Sequence, residues 1–211
     1  MSIYAEISDA LQQYNLGKVK ELVSKALAEG EPAPDILEKG LMDGISKVGV
    51  KFKNNEVYVP EVLVAARAMN KGLEILSPAL ANAKTISRGK AVVGTVKGDL
   101  HDIGKNLVKI MFQGRGIEVI DLGTDVSPER FVETAEKEGA GVIGCSALLT
   151  TTMMVMKDVV ELVKAKGLSD KIKVMVGGAP VTESFRATIG ADYYTADAAS
   201  AAEVALKALA Q

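Results

Sequence analysis

Apolar residues recur at three- and four-residue spacing through roughly the first eighty positions, the period of helices with one buried face. Ile3, Ile7, Ala10, Leu11 and Tyr14 share one face, and Val19, Leu22, Val23, Ala26 and Leu27 share another. A third amphipathic stretch follows Pro32-Ala-Pro34-Asp35 and aligns Ile36, Leu37, Leu41, Ile45, Val48 and Phe52. A fourth is expected to open at Pro60-Glu61, because proline has no amide to leave unpaired in a first turn. It would bury Leu63, Ala66, Met69, Leu73 and Leu76 and stop at Pro78. Four helices with short connections predict a small helical bundle over residues 1–81.

Beyond a short-chain, polar stretch, Ala81 to Gly89, the pattern changes. Continuous apolar runs at Ala91–Val96, Ile117–Leu122, Gly141–Ser146, Ile172–Val176 and, more weakly, Tyr193–Thr195 now alternate with amphipathic segments. Those segments span about Gly104–Gln113, Pro128–Lys137, Thr152–Lys166, Thr182–Ile189 and Ala198–Ala210. Runs without polar alternation suggest strands buried on both faces, hence a parallel sheet covered by helices. The reading is therefore α/β: a four-helix bundle over 1–81, a linker over 82–89, and a flavodoxin-like, five-stranded parallel-sheet domain over 90–211. Sheets of this kind bind ligands beyond the carboxyl ends of their strands.

Composition narrows the classes. Of 211 residues, 48% are hydrophobic and 25% charged, with a formal net charge of −2. Both halves are close to electrical balance, so neither carries the basic excess of a nucleic-acid or polybasic membrane footprint. No run approaches the ~20 apolar residues needed to span a bilayer, and the first residues show no secretory leader pattern. A single cysteine, Cys145, excludes an internal disulfide and a cysteine-built zinc site. It is expected to be a small buried strand residue. The expectation is a cytoplasmic protein without nucleic-acid or membrane partners.

The chemistry concentrates after the first strand, in Gly94-Thr-Val-Lys-Gly-Asp-Leu-His-Asp-Ile-Gly-Lys-Asn106, which holds the only histidine of the chain. Gly98-x5-Gly104-Lys105-Asn106 is one residue too long for a phosphate loop, and Asn106 replaces the magnesium-binding hydroxyl. Gly139-Ala-Gly141-Val-Ile-Gly144 matches G-x-G-x-x-G in letters but leads into a strand. Asp99-x-His101 suits a histidine ligand whose second nitrogen is held by a carboxylate. An all-protein site needs at least three good ligands, whereas one histidine suffices for a metal already held in a macrocycle. The other strand ends supply a hydroxyl-rich loop, Cys145 to Met153, and the paired glycines Gly177 and Gly178, which permit close approach.

Together these residues resemble the three-part signature of the B12-binding domain: Asp99-Leu-His101-Asp-Ile-Gly104, Ser146-Ala-Leu148 with Thr150-Thr-Thr152, and Gly177-Gly178. The helical half extends the likeness, since Val48 to Val62 resembles the cap module of cobalamin-dependent methyltransferases. The match covers nearly the whole chain and is similar to the free-standing corrinoid proteins of methanol- and methylamine-type systems. The variant it resembles is the base-off, histidine-on one, as in cobalamin-dependent methionine synthase.

The resemblance implies a cobalt corrinoid with His101 as the lower axial ligand, Asp99 accepting its second ring proton, and Thr152 completing the relay. Gly98, Asp102, Ile103 and Gly104 would lie against the corrin. Ser146, Leu148, Thr150, Gly177 and Gly178 would line a slot for the displaced nucleotide tail, with Tyr193, Tyr194, Thr195 and Asp197 closing it. Phe52, Tyr58, Val59 and Val62 would cover the upper face, and 81–89 would act as a hinge. The family's activity is methyl carriage: Co(I) accepts a methyl group from a substrate-specific methyltransferase and a second, acceptor methyltransferase removes it. A separate reductive activase would be a further partner, and the chain would be catalytically incomplete alone. Alternatives are a metal-dependent hydrolase built on Asp99, His101 and Asp102, a B12-dependent mutase subunit or sensor, and a flavin-binding module.

Overall fold

The computed structural model describes residues 2–80 and 87–210. Helices α1 (Ile3–Gln12) and α2 (Leu16–Ala28) are followed by a continuous helical rod. That rod consists of α3 (Ala33–Asp35), a π-helical segment (Ile36–Met42) and α4 (Asp43–Lys53). A long α5 (Val59–Leu80) completes the helical part. The remainder alternates β1 (Lys90–Thr95), α6 (Ile103–Gly114), β2 (Glu118–Asp121), α7 (Pro128–Glu138), β3 (Val142–Ser146), α8 (Val155–Ala165), β4 (Lys173–Gly177), α9 (Glu183–Ile189), β5 (Tyr193–Tyr194) and α10 (Ala198–Leu209). The chain divides into two compact units, one all-helical and one α/β.

In the helical unit, side-chain caps start the first two helices: Ser2 accepts from the Ala5 amide and Asn15 from the Lys18 amide. Ile7, Leu11, Val19, Val23, Ile36, Leu41, Ile45, Val48 and Leu76 are fully buried, as their spacing predicted. Three details differ from the sequence pattern. The third helix widens into π geometry at Ile36–Met42, which brings Gly40 and Leu41 inward. Gly72 of α5 lies so close to Leu41 that a Cβ there would stand 2.8 Å from Leu41 Cδ1. The last helix runs through Pro78 to Leu80 instead of stopping, and Leu63 on it is exposed while Val62, Ala65 and Met69 are buried.

The α/β unit holds one parallel sheet of order β2-β1-β3-β4-β5, the flavodoxin-like order. Val92 pairs with Ile120 on one side and Ile143 on the other, and Ile143 pairs with Val174, so the apolar runs stack in register across the centre. Burial on both faces holds for β1, β3 and β4, but β2 is an edge strand whose Glu118 is exposed and ion-paired to Lys90. Helices begin where sequence signals place them. Ser127, Thr182 and Asp197 cap α7, α9 and α10 through their side chains, and Gly139 and Gly190 end α7 and α9 in the left-handed conformation. Cys145 is buried in β3, and burial pushes its thiol pKa up. The linker expectation falls mostly outside the described residues. Among the described residues, no helix is long and apolar enough to cross a membrane.

Candidate functional site

Strands β1 and β3 are neighbours, yet the chain leaves β1 toward β2 on one side and β3 toward β4 on the other. This reversal opens a crevice at their carboxyl ends. The β1–α6 loop enters it through a four-residue turn closed by the Asp99 amide on the Val96 carbonyl at 3.1 Å. Gly98 supplies the positive φ, +81°, that a type II turn needs at its third residue.

Asp99 is fully buried in this turn and receives five donors. Its Oδ1 accepts the His101 amide at 3.0 Å, an Asx-type turn, and contacts His101 Nδ1 at 2.7 Å. Its Oδ2 accepts the Leu148 amide at 2.8 Å, the Leu149 amide at 3.2 Å and the Thr152 hydroxyl at 2.9 Å. Burial by itself would raise the carboxyl pKa. The bonds from the His101 and Leu148 amides, the imidazole and Thr152 outweigh it and hold Asp99 well below the ordinary carboxylate range.

An ionised Asp99 can only accept, so Nδ1 of His101 carries the proton and the lone pair lies on Nε2. The imidazole is about half exposed, at 51%, while its carboxylate partner is inaccessible. The Thr95 hydroxyl holds the His101 carbonyl at 2.9 Å, fixing the backbone that presents the ring. The result is a rigidly oriented imidazole with one committed nitrogen and one left for a ligand.

The two loops that meet at Asp99 carry large apolar side chains that no core claims. Leu100, with Ile103 at the start of α6, and Leu148, Leu149 and Met154 on the β3–α8 loop are all exposed. Gly104, at the start of α6, is exposed, and a Cβ added there would meet nothing nearer than Ser146 Oγ at 3.8 Å. The protein itself therefore does not require glycine at 104, and a flat group passing over the helix start would. Gly178 differs. At φ +130° its Cβ would fall 1.9 Å from the Ala147 carbonyl oxygen, so glycine is obligatory for packing of the β3 and β4 loops. These features fit a macrocycle held by one protein nitrogen.

The remaining expected residues spread over the neighbouring strand ends and the helical unit. Ser146 ends β3 half-buried, registered between Thr95 and Gly177. Thr150 is exposed on the same loop, Asp102 accepts from the Asn106 side chain at 3.0 Å, and Tyr193 and Tyr194 form the short last strand. Gly177 faces the Thr195 carbonyl. Both Asp197 carboxylate oxygens go to Ser200 as the cap of α10. In the helical unit Tyr58 is exposed, so water can satisfy its hydroxyl; Phe52 and Val59 are half-buried, and Val62 is fully buried.

Two groups have no counterpart in the motif. Lys105 is almost completely buried and gives bonds of 2.7 Å to both Asp121 and Asn106, while Lys109 reaches the other Asp121 oxygen at 3.1 Å. Burial would raise the Asp121 pKa, but these lysines and the Gly123 amide lower it overall. Asp125 contacts the Gly98–Asp99 turn directly. Among the described residues, no three histidine, cysteine, aspartate or glutamate side chains converge where they could hold a metal ion. Asp99 is moreover fully occupied by its donors, so the Asp99, His101 and Asp102 hydrolase arrangement finds no support.

Comparison with known proteins agrees with this geometry. Residues 89–209 match the B12 binding domain, and residues 3–77 match a second family also described as a B12 binding domain. A corrinoid protein of Desulfitobacterium hafniense (strain Y51) is 44% identical over 212 residues, covering 99% of this chain and 98% of that one. The dimethylamine corrinoid protein of Methanosarcina barkeri is 44% identical over 206 residues, covering 97% and 96%. Among solved structures, a chain of the methanol:cobalamin methyltransferase complex of Methanosarcina barkeri superposes with a TM-score of 0.88 at 29% identity, over 99% of this chain and 80% of that one.

Proposed function

The chain belongs to the corrinoid proteins of methyltransferase systems, which bind a cobalamin-type cofactor, and we propose that it carries methyl groups with His101 as the protein ligand of that cofactor. When bound, the corrinoid supplies a reduced cobalt nucleophile able to take a methyl group and release it to an acceptor. The observation that carries the reading is the Asp99–His101 pair, a half-exposed imidazole whose Nδ1 is locked by a buried, ionised carboxylate.

The contacts of each residue support the role given to it. Asp99 fixes the tautomer, so Nε2 is left without a proton and available to a ligand. Thr152 supports the carboxylate from the β3–α8 loop. Were Nε2 of His101 to carry a proton, the ionised Asp99 would pair with the imidazolium through Oδ1. Leu100, Ile103, Leu148, Leu149 and Met154 offer exposed apolar surface that a bound corrinoid would cover, and Gly104 leaves room at the helix start. Gly98, Asp102, Ser146, Thr150, Gly177, Gly178, Tyr194 and Thr195 belong to the same crevice. Asp197 acts through the α10 cap.

In this proposal residues 1–81 form the cap module, which carries Phe52, Tyr58, Val59 and Val62. Residues 82–89 form the linker and 90–211 the corrinoid-binding domain. The carrier is cytoplasmic and works between a substrate-specific methyltransferase and an acceptor methyltransferase, with a separate activase restoring the reduced state. The dimethylamine corrinoid proteins among its relatives make a methylated amine the first donor to test.

The test is the visible spectrum of protein mixed with hydroxocobalamin and desalted, for wild type and His101→Ala. Retained corrinoid, with altered axial-ligand bands in the variant, is the expected outcome. Colourless wild-type protein would overturn the carrier reading, and identical spectra would remove His101 from cobalt.

A further inference from the structure

Asp125 lies in the β2–α7 loop with φ +54°, in the left-handed region where glycine would be the least strained choice. The loop pairs along the end of β1: the Thr95 amide donates to the Gly123 carbonyl at 2.9 Å and the Val126 amide to the Thr95 carbonyl at 3.0 Å. At the next step the aspartate supplies something glycine cannot. Its Oδ1 accepts the Gly98 amide at 2.7 Å, while its own amide donates to the Asp99 carbonyl at 3.1 Å. The two bonds grip the Gly98–Asp99 segment on both sides of the Asp99 Cα. From that Cα projects the carboxylate that sets the proton on His101.

We infer that Asp125 is a positioning residue for the histidine relay: its side chain clasps the Gly98–Asp99 turn and so keeps the Asp99 carboxylate aimed at His101 Nδ1. Its importance for cobalt rests on the ligand role proposed above, but the clasp itself does not. An unclasped turn leaves Gly98 free to rotate, weakening the Asp99–imidazole bond and letting the proton move to Nε2. The side chain holds an exposed amide, and no proton moves to or from Asp125.

Because His101 is the only histidine, a long-range proton–nitrogen NMR spectrum of the cofactor-free protein reports one imidazole and its tautomer without ambiguity. At about pH 9, above the usual histidine range, wild type is expected to show the Nδ1–H form in excess. Asp125→Ala and Asp125→Gly should each lower the ratio of Nδ1–H to Nε2–H about fivefold, whereas Asp125→Asn, which keeps an acceptor oxygen, should stay near wild type. The glycine variant relieves the backbone and carries the test if the alanine variant does not fold. An unchanged ratio in the glycine variant overturns the inference. So does a loss confined to alanine, which would make the effect one of backbone strain. After loading with hydroxocobalamin, the same variants should show a reduced histidine-ligated fraction. If wild type binds no corrinoid while the tautomer shift persists, the ligand reading fails and the clasp stands.

Discussion

Replacing Asp99 by asparagine keeps the shape of the side chain and removes its charge, and the five donors around it dictate the consequence. The new amide has one oxygen and one NH2, and each must face either the His101 pair or the trio of Leu148 N, Leu149 N and Thr152 Oγ1. The oxygen is better placed toward the trio, because the opposite orientation sets the NH2 against two backbone amides. The NH2 then meets the His101 amide, donor against donor, and His101 Nδ1, which must become an acceptor. The imidazole proton moves to Nε2 and occupies the lone pair a metal needs. Loss of charge-assisted bonds together with one unpaired donor costs about 3 kcal/mol.

Urea unfolding of the cofactor-free protein measures that loss, and the hydroxocobalamin spectrum should show the histidine-free form. The pH dependence has a definite sign. The folded-state pKa of Asp99 lies below the unfolded value of about 3.9. Its contribution is therefore complete above about pH 4 and is lost as pH falls from there through the folded pKa. The stability gap between wild type and Asp99→Asn should narrow as pH falls below about 4. Wild-type stability and an unchanged spectrum in the variant would refute the reasoning.

Two glycines should respond in opposite ways. Gly178→Ala forces a Cβ into the Ala147 carbonyl and should destabilise the cofactor-free protein by at least about 2 kcal/mol, seen as a lower thermal midpoint. Gly104→Ala meets open space and replaces a poor helix former, so the cofactor-free protein should gain up to about 1 kcal/mol. Its corrinoid retention on desalting should fall; undiminished retention would remove Gly104 from the cofactor. Thr152→Val should cost about 1 kcal/mol by leaving Asp99 one donor short, with Thr152→Ser close to wild type, both read by urea unfolding.

Much of this was legible in the residues because the signals are local. The five apolar runs mark the strands, and the amphipathic segments that open near Pro128, Thr182 and Ala198 mark helices after them. The Asp99–His101 bond spans two residues and can be read from the motif alone. The π segment at Ile36–Met42 was not legible, since one extra residue per turn leaves three- and four-residue apolar spacings intact. Pro78 misled because a helix can carry a proline at the cost of one backbone hydrogen bond, and α5 runs through it to Leu80. Lys105 and Asp125 were missed because their partners are distant, 16 residues away for Lys105–Asp121 and 27 for Gly98–Asp125. The Leu148 and Leu149 donors left no trace because a backbone amide is present at every non-proline position.

Those distant contacts explain how a single histidine would suffice in the ligand role proposed above. A fully buried carboxylate stays ionised only when donors replace water, and two of the five donors to Asp99 come from its own loop. The other three come from the loop after β3, which reaches Asp99 because Thr95 pairs with Ser146 in the sheet. A one-residue slip between β1 and β3 would withdraw all three. The position of the imidazole proton is thus tied to the register of the two central strands. A chain with a second or third protein ligand would not need this coupling, because each ligand would constrain the others through the metal. Here the constraint must come from the fold.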